Sequence, residues 1–187
     1  MAVLVRILPA AALLVATATS LSAQATPAQP VCEASQPGGS VGARANLSLQ
    51  LAMKDQKTNP ANAAKQLQAA VKTLEPPSKN EELNRAYMLG SVLALWLNQP
   101  NVGYTPKRSV VGFTANPDAT INLPSTIDSL FKIVEASKPG CSYYTAYWRG
   151  GQQAYLDMVN NAIAALNADK LDSAQYYASV ALSLIHI

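Results

Sequence analysis

The stretch Gln152-Gln-Ala-Tyr-Leu-Asp-Met-Val-Asn-Asn-Ala-Ile-Ala-Ala-Leu-Asn-Ala-Asp-Lys-Leu-Asp-Ser-Ala-Gln-Tyr-Tyr-Ala-Ser-Val-Ala181 decides the fold. Tyr155, Met158, Val159, Ala162 and Leu166 recur at i, i+3, i+4, i+7 and i+11, the spacing of one helical face. Asn167-Ala168-Asp169-Lys170 is a short polar turn, and a second helix follows it from Leu171. Ala162 on the first helix and Ala174 and Ala181 on the second are small enough for two backbones to approach closely. A lone hairpin of this kind cannot bury its apolar faces and calls for similar hairpins beside it, as in a helical solenoid.

Working outward, the chain has 187 residues, of which 49% are hydrophobic and 13% charged, so it can build one real core and is neither disordered nor strongly charged. The net charge of +3 falls to +2 without Arg6, and with no basic run this gives nucleic acid nothing to read. His186 is the only histidine, and without it, since it is read below as not native, a histidine triad, a His-rich metal site and a His general base are excluded.

Residues 1–25 read as a signal peptide. Arg6 supplies charge, Ile7 to Ala16 is an apolar run too short to span a bilayer, and Ala23-Gln24-Ala25 is a small-x-small cleavage pattern. An exported chain with no membrane span after cleavage, periplasmic or extracellular, is the expectation. Residues 26–42, rich in Pro, Gly, Gln and Ser, read as a flexible lead-in. An exported chain with two cysteines, Cys32 and Cys141, sits where thiols oxidise, so a disulfide between them is expected, with two free thiols as the alternative.

The helical domain is expected over 43–181. Its first helix runs from near Ala43 to about Asp55. Asn59-Pro60 caps a second helix with Ala63, Leu67, Ala70, Val71 and Leu74 on one face. The capping-box pattern Ser78-Lys79-Asn80-Glu81 precedes a third, whose mid-helix Gly90 marks a close crossing. Residues 99–123 break the pattern and read as an inserted ordered loop or small β-hairpin, with Ser109–Thr114 and Thr120–Leu123 flanking a turn. A fourth helix starts at Pro124-Ser125, and Ile127, Leu130, Phe131 and Val134 form its inner face. A fifth starts after Cys141 and is expected to run through Gly150-Gly151.

These residues resemble the tetratricopeptide repeat (TPR) family, whose pattern is W-x₂-L-G-x₂-Y, then A-x₃-F, then P. Ala86-x₂-Leu89-Gly90-x₂-Leu93 matches the leucine and glycine but lacks the Trp and Tyr. Ala162 takes the glycine position in the last unit, and Ala174 and Ala181 match small residues of a second helix. Ala63-x₃-Leu67, Ala70 and Pro76 play the same parts in the first unit. The resemblance covers three units from Ala43 to Ala181 and implies an all-α superhelix that binds a protein or peptide, with no catalytic residue and no cofactor. An all-α bundle with alanines at its crossings is the alternative.

Tyr143, Tyr144, Tyr147, Trp148 and Tyr155 hold five of the chain's twelve aromatics within one stretch. Such a cluster is either core or a sticky recognition patch for a peptide or sugar. Asn84, Tyr87 and Ser91 share one helix face, and the family resemblance places such a face in the concave groove. No phosphate loop, nucleophile elbow or Cys-x-x-Cys occurs. The competing class is an envelope enzyme or glycan-binding protein using the patch around Trp148; an enzyme of that kind needs two carboxylates converging in a cleft.

Leu182-Ser-Leu-Ile-His-Ile187 resembles the in-frame translation of a transposon end used to build sequencing libraries. On that reading residues 182–187 are a sequencing artefact, the natural chain is longer, and His186 is not native.

Overall fold

The computed structural model describes residues 31–36, 38–77, 81–149 and 152–185. The expected leader, the Ser78-Lys79-Asn80 part of the capping box, the Gly150-Gly151 junction and His186 lie outside them. The described helices are α1 (Gly39–Asp55), α2 (Pro60–Leu74), α3 (Glu82–Trp96), the single turn α4 (Arg108–Val111), α5 (Leu123–Ser137), α6 (Ser142–Arg149), α7 (Gln152–Asn167) and α8 (Leu171–Ile185). The protein is all-α, with no strand among the described residues.

Three helix pairs carry the packing: α1 on α2, α3 on α5, and α7 on α8. In the first, Ala45 and Ala52 of α1 and Ala63 and Ala70 of α2 have no exposed surface, so methyl groups line the crossing and the axes come close. Leu67, Val71 and Leu74 fill the space around them, each withdrawn from water at a gain of ~1.5–3 kcal/mol. Asn59 caps α2 as expected, its Oδ1 accepting from the Asn62 amide at 3.1 Å. Arg85 of α3 donates to the carbonyls of Leu74 and Glu75, satisfying the other end of α2 and tying the first pair to the next.

The central helix is α3. Its residues from Ala86 to Trp96 are buried on every face, because α2, α5 and α6 pack around it. Gly90 is the crossing point that a mid-helix glycine announced. A Cβ there would lie 2.5 Å from Cε1 of Phe131, so the bare backbone is what admits that ring from α5. The α5 cap is Asn122, whose Oδ1 accepts from the Ser125 amide at 3.0 Å, rather than the Pro124-Ser125 pair.

Of the two readings of the insertion the ordered loop holds and the β-hairpin does not: the segment is a loop with one helical turn, Ser109–Val111 belong to α4, and its one bridge is an isolated antiparallel pair, Lys107 with Thr120. The two arms meet around that bridge, the Arg108 amide donating to the Ala119 carbonyl at 2.8 Å and the Ile121 amide to the Pro106 carbonyl at 2.9 Å, and the turn after α4 docks on α2. Gly112 ends α4 at φ +104 and lies against the Gln68 backbone, where a Cβ would come within 2.7 Å. Glu75 accepts from the amides of Thr114 and Ala115, at 2.7 and 2.9 Å, and from the Thr114 hydroxyl. The lead-in is also shorter than expected, since α1 begins at Gly39, ahead of Ala43. Cys32 and Ala34 are buried, and the Asn84 amide donates to the carbonyls of Ala34 and Gln36, which fixes this segment on α3.

The Cys32–Cys141 disulfide is present, with Cα atoms 4.6 Å apart and a sequence separation of 109. Lys138 and Glu33 pair beside it.

The α7–α8 pair is the least covered. Met158, Val180 and Ala181 form a small core of their own, with Tyr104, Val159 and Tyr177 against it. Leu166, expected on the buried face, is exposed, as are Ile163 and Leu171. α8 runs on to Ile185, so Leu182–Ile185 continue the helix.

Candidate functional site

Helix α6 sorts its side chains into stripes at i, i+4 spacing. Thr145 and Arg149 form the buried stripe. Arg149 binds Glu135 and, at 3.4 Å, Asp128, both on α5, and its guanidinium lies 5.3 Å from the centre of the Phe131 ring. The Thr145 hydroxyl also donates to Glu135. Asp128 and Glu135 are thus two carboxylates that converge, but both are engaged by the same arginine. Their arrangement pins α6 to α5.

The second stripe is Tyr144 and Trp148, half-buried against the main core. The Trp148 Nε1–H donates to the Tyr87 hydroxyl at 3.0 Å, which fixes the indole plane. Burial pushes the Tyr87 phenol above its ordinary value, so it stays neutral and keeps that bond. The third stripe, Tyr143 and Tyr147, faces water, and Tyr147 is 69% exposed. Its ring meets the Trp148 ring edge to face, with centroids 5.4 Å apart. The side chain of Tyr155 lies outside the described residues.

Asn84, Tyr87 and Ser91 occupy internal positions. Ser91 and Tyr87 are buried, the Ser91 hydroxyl bonding to the Tyr87 carbonyl at 2.9 Å, and the half-buried Asn84 holds the lead-in. Their shared face meets the protein's own N-terminal segment and α6, so it does not line an open groove.

Tyr147 and Trp148 form one wall of a groove of about 360 Å³. Met53 and Gln56 from the end of α1, and Ala94, Leu95 and Asn98 from the end of α3, complete it. Gln56 Nε2 donates to the Leu95 carbonyl at 3.5 Å, linking the two helix ends. Among the described residues no charged side chain lines the groove, so it offers rings, a thioether and amides. Sequence periodicity pointed to the aromatics but not to Met53, Gln56 or Asn98. These three lie at helix ends, where neighbours are set by how the helices assemble. No group of His, Cys, Asp or Glu among the described residues has the make-up of a metal site.

Comparison with known proteins gives no match to a family model, to a curated protein or to a solved structure.

Proposed function

We propose that the protein is an exported, non-catalytic scaffold of TPR-like helical hairpins that holds a protein or peptide partner in the Tyr147–Trp148 groove. The observation that carries this reading is an exposed tyrosine set against a tryptophan whose orientation is already fixed by Tyr87. A pre-oriented aromatic pair loses little entropy on binding, and Tyr and Trp dominate interface hot spots. The neutral lining favours an apolar or amide-rich segment over a charged one. The pairing of α1 with α2, α3 with α5 and α7 with α8 supports the repeat reading. Export is compatible with the disulfide and with the finding that no described helix is long and apolar enough to cross a membrane.

The test is a peptide library selected on the oxidised full chain, run beside an oligosaccharide panel. Peptides should be enriched that lose at least ~10-fold in affinity to Tyr147→Ala, the scale of a hot-spot truncation, with helical content unchanged. Selection of sugars alone would move the groove to the glycan-binding reading. Enriched peptides indifferent to Tyr147→Ala would sink this one.

A further inference from the structure

Helix α1 packs on α2 through Ala45, Leu49 and Ala52, which recur every three to four residues. At about 100° of turn per residue, Leu47 lies two positions from both Ala45 and Leu49 and points away from them. Leu47 is 62% exposed, and Leu51, one turn further on, 38%. Arg44 and Lys54 stand three residues outside this pair on either side and are also exposed, so Arg44, Leu47, Leu51 and Lys54 run along one outward stripe. Among the described residues the salt bridges draw on Lys107, Arg108, Lys132, Lys138 and Arg149, and on no cation of α1 or α2. Lys57, just beyond α1, is exposed as well. Asp55, the carboxylate next to Lys54, is half-buried and accepts from the Asn62 side-chain amide. The stripe is therefore apolar at its centre and has a cation without an ion pair at each end.

We propose that this stripe seats the protein on an anionic lipid surface, with Leu47 and Leu51 entering the headgroup boundary and Arg44 and Lys54 meeting lipid phosphates. Charge decides the occupant. The stripe is symmetric about Leu49, so a second copy laid antiparallel on it brings Arg44 opposite Lys54, and a parallel copy brings each cation opposite itself. Both arrangements repel. A neutral apolar partner would desolvate the cations without supplying an anion. A helix face is convex, so a protein partner has to provide a groove, whereas headgroups part around a ridge. The Tyr147–Trp148 groove takes Met53 and Gln56 from α1. Met53 is about a third of a turn round the helix from Leu47, so the two surfaces are separate.

The test places the oxidised full chain, with its leucine methyl groups isotope-labelled, beside nanodiscs whose lipids carry a spin label at the headgroup. In discs containing phosphatidylglycerol the methyl signals of Leu47 and Leu51 should broaden, while those of Leu166 and Leu171, comparably exposed leucines on α7 and α8, stay sharp. Arg44→Gln combined with Lys54→Gln should weaken binding to these discs about 25-fold, or about 5-fold for each basic residue removed from an anionic surface. Lys65→Gln combined with Lys72→Gln removes the same charge from the cleft beside the insertion and should weaken it by no more than about 5-fold. The proposal is overturned if Leu47 and Leu51 stay sharp on phosphatidylglycerol discs, if discs of phosphatidylcholine alone broaden them equally, or if the two double variants lose affinity alike. It also falls if soluble polyglutamate, matched in charge to the lipid, holds the stripe more tightly than the discs do, which would assign the stripe to an acidic protein.

Discussion

Helix α3 and the α7–α8 hairpin are written in much the same residues, alanine, leucine and a few aromatics, but they are buried very differently. In α3 eleven successive residues, Ala86 to Trp96, are shut away from water. In α7 and α8, Met158, Ala165, Val180 and Ala181 are buried, while Leu156, Ile163, Leu166, Leu171 and Leu182 stay exposed. The small residues show why. Gly90 is met by the Phe131 ring, so its missing side chain becomes a tight crossing. Ala162, Ala174 and Ala178 instead line an open furrow together with Ile163, Leu166 and Leu171. A small residue therefore signals close approach only when something large is delivered opposite it.

The largest effect should come from the disulfide, which ties the segment before α1 to the start of α6. Closing a loop of 109 residues is worth up to ~4–5 kcal/mol in the chain-entropy model. The double replacement Cys32→Ser with Cys141→Ser should lower the urea midpoint by a corresponding amount, with amide exchange accelerated throughout α3. If exchange in α7–α8 rises more than in α3, the division between the two regions has been drawn in the wrong place.

Next comes the crossing itself. Gly90→Ala places a methyl where Phe131 Cε1 is 2.5 Å away and should cost ~1–3 kcal/mol by overpacking. Ala162→Leu, in the open furrow, should cost under about 1 kcal/mol. Equal losses in chemical denaturation would show that both regions are packed alike.

Legibility in the sequence followed the same division. The helices of the core were plain because 3.6-residue periodicity and their caps agree: Asn59-Pro60, the Ala63–Leu74 face, and Gly90 facing Phe131. The cysteine pairing was expected from the number of cysteines and the leader-like N-terminal sequence, and the fold supplied the proximity. For the insertion the choice between an ordered loop and a β-hairpin stayed open, because Val110, Val111 and Phe113 have β-forming side chains. What determines that loop is Glu75, a residue 39 positions away from Thr114, and no local pattern encodes such a contact. The candidate site was half legible. The aromatic run stood out, but i, i+4 spacing alone could not tell Tyr147, which faces water, from Trp148, which bonds Tyr87. Asn84, Tyr87 and Ser91 were placed on one face correctly, but the N-terminal segment and α6 that meet that face are distant in sequence.

The Glu75 contact gives a pH-dependent test of the loop's attachment to the core. Burial alone would raise this carboxyl, and it is the strongest single influence. The Thr114 hydroxyl and amide, the Ala115 amide and Arg108 together outweigh it and hold the carboxyl below its ordinary value. A depressed carboxylate pKa contributes stability that is full above the unfolded value of ~4.3 and is lost as pH falls through the lower folded value. Glu75→Gln should therefore destabilise by about 1–3 kcal/mol at neutral pH, the scale of charge-assisted hydrogen bonds, and the gap to wild type should close in acid. A gap that stays constant to low pH would mean that shape, not charge, holds the loop.

The smallest effect tests the peripheral hairpin directly. Leu166 and Leu171 are 56% and 66% exposed, so most of their apolar surface is already in water in the folded chain. Replacing either with glutamine removes little burial and leaves no cavity. Each change should fall within ±0.5 kcal/mol, as for surface sites away from special features. The same substitution at Leu67, which has no exposed surface, should cost several kcal/mol, because it places an unpaired amide in the interior. The pair of measurements separates two accounts of the furrow. If it is open to solvent, Leu166→Gln and Leu171→Gln unfold at the wild-type denaturant midpoint at every protein concentration. If a second copy covers it, both variants lose stability, and the wild-type midpoint rises with protein concentration while theirs does not.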